Sequence, residues 1–196
     1  MPADASHRAR LLDAALILFR QRGVHGVGLS EILARAGAPK GSLYHHFPGG
    51  KTALAVAVVH GIEDGLKRLI EADASGTTAG LVRQVGAQVT KWMWRTGGDA
   101  CALLASFAAE GDADTALRDA VGRAYRSVAG LLEVRLRRDG WSRAQARDRA
   151  GLVLALFEGA GLISHARADP KLFATAIEHA AHLCERERRD DATNCP

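Results

Sequence analysis

Residues 28–47 read GLSEILARAGAPKGSLYHHF, and the organisation of the N-terminal quarter of the chain follows from this stretch. Apolar side chains recur at helical spacing between residues 29 and 36, and Ser30 is placed to cap the helix that they predict. Gly37 supplies the left-handed conformation that ends many helices, and Pro39 suits the first turn of the next one. The stretch therefore predicts two short helices joined by a tight turn.

The second of these helices carries side chains suited to contact with duplex DNA. A recognition helix needs small residues where it approaches the groove, and donors that reach base edges and phosphate oxygens. Lys51, at the start of the following helix, adds a cation beside amide groups that can bind an anion. The small residues are Ala38, Gly41 and Ser42, and the donors are Lys40, Tyr44, His45 and His46. Together they form a helix-turn-helix pattern, with Leu43 and Phe47 expected to face the core.

Charge is distributed unevenly along the 196 residues. Residues 1–51 contain seven lysines and arginines against three acidic residues, whereas the remainder contains nineteen of each, so the first quarter carries the whole net charge of +4. Four of the eight histidines lie in the same quarter. This concentration is typical of a small headpiece that binds a polyanion.

The remainder of the chain is also predicted to be helical. Apolar residues keep helical spacing almost throughout, and alternation typical of strands is absent. Ser142 and Gln145 form a capping box, and Asp169 followed by Pro170 marks another helix start. We therefore predict an all-α fold of nine helices. A hydrophobic fraction of 47% with 24% charged residues excludes disordered and polytopic membrane classes.

The segment from Gly28 to Phe47, above all KGSLYHHF at residues 40–47, resembles the headpiece of the TetR family of bacterial repressors. The match covers roughly the first third of the chain at motif level, and beyond Lys51 it is one of architecture. The turn PGGK at residues 48–51 is one residue longer than the common family form. It resembles the subgroup typified by repressors of lincomycin-resistance genes.

This resemblance implies a DNA-binding transcriptional regulator, released from its operator by a small apolar ligand. The implied organisation is a DNA-binding domain at residues 6–66, an effector-binding and dimerisation domain at 67–188, and a disordered tail at 189–196. The family pattern places Ala38, Lys40, Gly41, Tyr44 and His45 at bases or nearby phosphates. It places Ser30, Ser42, His46 and Lys51 on the DNA backbone.

Members of this family are homodimers, so the last two long helices are expected to form the dimer interface. The candidate residues are Leu152, Leu156, Gly159, Leu162 and Ile163 on one helix, and Phe173, Ile177, Ala180, Leu183 and Cys184 on the other. The same stripes can instead be buried inside one chain. Helices five to eight are expected to enclose the effector pocket, with candidates Trp92, Met93, Trp94, Phe107, Glu110, Tyr125, Phe157 and His165. The pair Trp92 and Trp94 suggests a flat apolar ligand.

Enzyme patterns fail at specific positions. The sequence Gly50-Lys51-Thr52 matches the end of a phosphate-binding loop, but residue 45 is histidine where that loop needs glycine. His179 and His182 could place metal ligands on adjacent helical turns, with Cys184 as a third, although a surface histidine pair is the simpler interpretation. We therefore expect no enzymatic activity, no cofactor and no metal.

Two alternatives remain at the level of sequence. The first is a small-molecule-binding helical module that no longer reads DNA, and the second is an enzyme using Glu110, His165 or Cys101. No stretch approaches the roughly 20 apolar residues of a membrane span, and the first residues lack the pattern of a secretory signal. We expect a cytoplasmic protein whose partners are a double-stranded operator, a second copy of itself and an unidentified small-molecule effector, with no membrane partner.

Overall fold

The computed structural model describes residues 3–95, 104–108 and 114–186. Within these ranges the chain forms nine helices and no strand, which confirms the all-α prediction. The helices are α1 (Ala3–Arg22), α2 (Leu29–Ala36), α3 (Lys40–His46), α4 (Gly50–Glu71), α5 (Thr78–Arg95), α6 (Ala105–Ala108), α7 (Thr115–Arg138), α8 (Arg143–Ala166) and α9 (Pro170–Cys184). Among them, none combines the length and apolar character that a bilayer crossing requires. The predicted tail at 189–196 lies outside the described residues.

The first three helices and the start of α4 share one hydrophobic core, which we call the head cluster. The largest fully buried side chains in this part are Leu11, Phe19, Ile32, Leu43 and Leu54. Leu104 and Phe107, together with the N-terminal half of α7, join the same cluster. The small helices therefore do not stand alone, because side chains from the second half of the chain complete their core.

The start of α2 differs from the sequence prediction. Gly28, not Ser30, is the N-cap residue, and the Glu31 carboxylate accepts a hydrogen bond from the Gly28 N–H at 3.1 Å. Leu29, the first helical residue, packs against the head cluster, which fixes the helix start ahead of Ser30. Ser30 consequently lies exposed in the first turn, and its predicted capping role was wrong.

A second core, which we call the body cluster, lies among α5, α7, α8 and α9. The predicted capping box is present at α8, where the Gln145 N–H donates to Ser142 Oγ at 3.3 Å and the Ser142 N–H to Gln145 Oε1 at 3.2 Å. Asp169 caps α9 ahead of Pro170, as the sequence predicts. Both helix starts are local signals, and tertiary packing leaves them unchanged.

The long helix α4 belongs to both clusters. Leu54 and Val58 are buried in the head cluster, whereas Ile70, near its other end, is buried in the body cluster. At its first turn, Thr52 Oγ1 donates to Asp114 Oδ2 at 2.5 Å, and Asp114 is the N-cap residue of α7. A displacement of α7 can therefore reach the head along α4.

Candidate nucleic-acid interface

The turn between α2 and α3 fixes the direction of α3. Gly37 adopts the left-handed conformation with φ of 56°, and its N–H donates to the Ala34 carbonyl at 3.3 Å. The Ala38 N–H donates to the Leu33 carbonyl at 3.1 Å, and Pro39 is the N-cap residue of α3. These bonds satisfy the last carbonyls of α2. The left-handed conformation of Gly37 makes them possible and so sets the direction in which α3 leaves the turn.

One side of α3 is anchored in the core. Leu43 is completely buried and Phe47 almost so, as predicted. The guanidinium of Arg8 lies 5.6 Å from the centre of the Phe47 ring, and Arg10 Nε donates to the Ala36 carbonyl at 2.9 Å. Helix α1 thus contacts the helix-turn-helix at its central turn, through Ala36, and at the end of α3, through Phe47.

The opposite side of α3 is exposed. The side chains of Lys40 and His45 reach solvent, and Tyr44 is 47% exposed although it is aromatic. A Cβ atom built on Gly41 meets nothing within 4 Å, so the backbone at this point can be approached closely. The fold therefore brings Lys40, Gly41, Tyr44 and His45 together on one surface, with Ala38 half-buried at its edge.

Three residues predicted to contact the DNA backbone, Ser42, His46 and Lys51, are less exposed or already bonded within the chain. The Ser42 hydroxyl oxygen is buried rather than turned outward. The His46 ring is half-buried and lies edge-on to His45 and Phe47, with centroid distances of 5.0 and 6.2 Å. Lys51 Nζ donates to the Val27 carbonyl at 3.2 Å, so one of the three N–H donors of this ammonium group is already used within the chain.

A cavity of about 50 Å³ lies between α4, α5, α7 and α8. Two predicted pocket residues, Tyr125 and Phe157, line it, whereas Phe107 is buried edge-on against Phe19 in the head cluster. His165 is exposed near the end of α8 and is not part of the lining. Glu110 and Cys101, and the side chains of Trp92, Met93 and Trp94, lie outside the described residues. The remaining lining residues are Leu66, Ile70, Leu81, Val82, Val85, Leu104, Val128, Leu132, Val153, Leu154 and Glu158.

Sequence reasoning missed Glu158, the acidic residue of the cavity wall. Its carboxylate accepts hydrogen bonds from the Leu104 N–H at 3.0 Å and the Ala105 N–H at 3.2 Å. Burial raises the pKa of the Glu158 carboxyl, although these N–H groups and the Tyr125 hydroxyl act in the opposite direction. Burial, together with the adjacent Glu158, also raises the pKa of Tyr125. The one signal in the sequence was an acidic residue within the apolar run from Leu152 to Gly161.

The predicted dimer residues divide between two environments. On α8, Leu152, Leu162 and Ile163 are 51%, 55% and 50% exposed, and Leu156 and Gly159 are half-buried beside them. On α9, the apolar stripe faces α5 and α8 of the same chain, which is the alternative that the sequence left open. The buried residues are Phe173, Ile177, Ala180 and Cys184, and Leu183 is half-buried.

The proposed metal ligands on α9 do not converge. Among the parts of the chain that the structure describes, no three histidine, cysteine or acidic side chains are grouped to hold a metal ion. Burial raises the pKa of the Cys184 thiol to about 11, and its Sγ donates to the Ala180 carbonyl at 3.4 Å. A buried, protonated thiol is a poor metal ligand.

Comparison with known proteins agrees with this geometry. Residues 11–58 match the family described as bacterial regulatory proteins, tetR family, and residues 78–179 match the transcriptional regulator LmrA/YxaF-like C-terminal domain. The chain is 32% identical to the HTH-type transcriptional regulator LmrA of Bacillus subtilis over 163 residues, which cover 80% of this chain and 85% of LmrA.

Solved structures show the same fold. A TetR transcriptional regulator from Legionella pneumophila superposes with a TM-score of 0.80 at 18% identity, covering 90% of this chain and 96% of that one. The reduced form of Escherichia coli NemR gives a TM-score of 0.70 at 26% identity, with coverages of 90% and 96%. In sequence, the HTH-type transcriptional repressor NemR of E. coli is 48% identical over 52 residues, 26% of each chain. The chain is therefore a transcriptional regulator that belongs to the TetR family, with a C-terminal domain of the LmrA/YxaF type.

Proposed function

We propose that the protein is a homodimeric repressor that binds an operator through the exposed side of α3 and leaves it when a small molecule enters the cavity. The exposed surface of Lys40, Gly41, Tyr44 and His45 on a helix anchored by Leu43 carries this proposal. The repressor role is supported by the similarity of the N-terminal part of the chain to the transcriptional repressor NemR. Its activity is DNA binding rather than catalysis, and it acts in the cytoplasm, where bacterial DNA lies.

Residues 6–66 form the DNA-binding domain of this proposal, with the helix-turn-helix at 28–47, and residues 67–188 form the effector-binding and dimerisation domain. Ala38, Lys40, Gly41, Tyr44 and His45 contact base edges and adjacent phosphates. Ser30, His46 and Lys51 contact the DNA backbone, and Lys51 retains two N–H donors beyond its bond to Val27. We leave Ser42 out because its hydroxyl is buried.

The dimer is formed by the exposed apolar surface of α8. Five large apolar side chains are exposed within the described ranges, and three of them are Leu152, Leu162 and Ile163 on this helix. Apolar patches of this kind on a soluble protein mark contact with another chain. Pairing of two copies brings their recognition helices to successive major grooves, roughly 34–36 Å apart.

Selection of bound fragments from the genome of the source organism identifies the operator and tests the proposal. Lys40→Ala and Tyr44→Ala should weaken binding to the selected fragment without loss of thermal stability, because both side chains are exposed. If Lys40 contacts a phosphate, its removal reduces the salt slope of log affinity by about 1. Lys91→Ala removes an exposed lysine from α5 and serves as the matched control.

Two results would contradict the proposal. Failure to select any fragment, even at low salt, would favour the module that no longer reads DNA. Equal losses of affinity in Lys40→Ala and Lys91→Ala would place the DNA contact elsewhere than α3.

A further inference from the structure

The cavity lies where the head cluster meets the body cluster. Leu104 belongs to the head cluster and Tyr125 packs against it, whereas Val85, Val128 and Phe157 belong to the body cluster, and all five line the cavity. A molecule that widens the cavity therefore changes the distance between the two clusters. The cavity wall is a joint between the part that carries α3 and the part that carries the α8 surface.

Glu158 connects the two sides of this joint by hydrogen bonds. It extends from α8 and accepts from the Leu104 N–H and the Ala105 N–H at the start of α6, as well as from the Tyr125 hydroxyl. The carboxylate thus serves as the cap of α6. It is also the only charged side chain in the described lining of the cavity.

Helix α6 in turn contacts the head. Phe107 lies edge-on to Phe19 of α1, with ring centroids 6.3 Å apart and planes at 87°. The next residue of α1, Arg20, is buried, and its positive charge acts on the Glu158 carboxyl. Two consecutive residues of α1 are therefore linked to this region, Phe19 by its contact with Phe107 and Arg20 by lowering the pKa of Glu158.

The size of the cavity makes ligand entry a structural change. Its volume of about 50 Å³ is well below the roughly 150 Å³ of an engineered cavity that binds benzene. A ligand with an aromatic ring must displace lining side chains, and it selects a conformer in which the joint is wider.

We propose that Glu158 selects ligands that are apolar apart from one hydrogen-bond donor, and that the ligand's donor takes the carboxylate from the N–H groups of Leu104 and Ala105. Loss of those hydrogen bonds lets α6 move, and Phe107 then no longer supports Phe19 of α1. The inference rests on the proposed function, in which a ligand-bound conformer has lower operator affinity.

The chemistry of the wall determines the ligand class. A carboxylate only accepts hydrogen bonds, so a hydroxyl or a protonated amine is matched to it, whereas a second carboxylate is repelled. A hydrogen bond to a charged acceptor in an apolar site is strong enough to give at least a tenfold preference. A hydroxyl and a protonated amine can both donate to the carboxylate, and compounds that differ only in this group show which of them is preferred.

Four compounds of similar size form the test series: toluene, benzyl alcohol, benzylamine and benzoate. Calorimetry on the full-length protein gives their affinities without DNA, and fluorescence anisotropy gives operator affinity with each compound at saturation. We expect benzyl alcohol or benzylamine to bind about tenfold more tightly than toluene, benzoate to bind no more tightly than toluene, and the bound donor to lower operator affinity.

Glu158→Gln leaves one acceptor oxygen in place of two, and Glu158→Met leaves none, so both should reduce the ratio of donor to toluene affinity. Glu178→Gln removes an exposed carboxylate on α9 and should leave the ratio unchanged.

If Glu158 only caps α6, its variants lower the melting temperature while the ratio stays at the wild-type value, and this result overturns the inference. So does tight benzoate binding, or a bound donor that leaves operator affinity unchanged. Failure of the ligand-free protein to bind any genomic fragment instead overturns the proposed function.

Discussion

Gly41, in α3, and Gly50, the first residue of α4, have different physical roles. Gly41 has no atom within 4 Å of a built Cβ and an ordinary helical backbone, so nothing in the chain itself requires glycine there. Gly50 has a φ of 64°, in the left-handed region that side chains disfavour, and folding of the turn before α4 depends on it. In the proposed interface, the open space at Gly41 lets DNA approach the backbone of α3 closely.

Substitution of Gly41 tests that explanation directly. Gly41→Asp should reduce operator affinity by more than tenfold, because the carboxylate would face DNA phosphates, while the melting temperature stays close to wild type. Electrophoretic mobility shift and thermal denaturation measure the two properties. Gly61→Asp makes the same change at an open, exposed glycine of α4 and should bind DNA much as wild type does. Equal affinity of Gly41→Asp and wild type would contradict the assigned interface.

At the scale of elements, Asp114 connects α7 to the head. Its Oδ1 accepts from the N–H groups of Ala116 and Leu117 at 3.0 and 3.2 Å, while Oδ2 accepts from Thr52 of α4. The Thr52 hydroxyl and these N–H groups lower the pKa of the Asp114 carboxyl, against the effect of burial. One side chain thus stabilises a helix start and a contact between two helices.

Removing this side chain should cost about 1 kcal/mol of unfolding free energy, the usual effect of losing an N-cap. Because the pKa is lower in the folded protein, the charged form contributes stability above the ordinary value of 3.8 and loses it as the pH falls through the folded-state value. Urea denaturation of wild type and Asp114→Ala should therefore differ at pH 7 and converge in acid. Asp119→Ala, on the exposed side of α7, is the control. A difference that persists unchanged in acid would show that the charge of Asp114 contributes nothing.

The helices show which features a sequence can predict. The caps at Ser142 and Asp169 and the left-handed turn at Gly37 depend on residues a few positions apart, so they were predicted correctly. Ser30 was assigned a cap that Gly28 occupies, because packing of the following residue moved the helix start. Contacts across long separations gave no local signal, and Glu158 was missed because the N–H groups that it binds lie more than fifty residues earlier in the chain.

In the candidate site, the sequence predicted best which side chains of α3 are exposed and which are buried. Tyr44 on a short helix beside the buried Leu43 was recognisable from the pattern alone. For the apolar stripe of α9 the sequence left two partners open, since periodicity shows that a helix face is covered but not which element covers it. Its residues Phe173 and Ile177 pack inside the same chain, and the exposed stripe lies on α8.

At the level of the whole molecule, operator binding in the proposed function needs two chains. Leu162→Lys and Ile163→Lys should shift the protein from dimer to monomer in analytical ultracentrifugation, because a charge at the centre of an apolar contact is costly to bury. Val134→Lys is the matched control, since Val134 is 49% exposed and lies on α7 rather than α8. The α8 variants should lose operator affinity as they lose the dimer, whereas the Val134→Lys control should keep both. Dimers of unchanged stability would contradict the assignment of this surface.

If the exposed side of α3 enters the major groove of DNA, it will protect the selected operator from methylation there. Dimethyl sulfate reacts with guanine N7 in the major groove and with adenine N3 in the minor groove. We predict protection of guanine N7 in two patches about one helical turn, or a multiple of it, apart, and its loss with Gly41→Asp. Protection confined to adenine N3, or the same pattern with Gly41→Asp, would show that α3 does not enter the major groove.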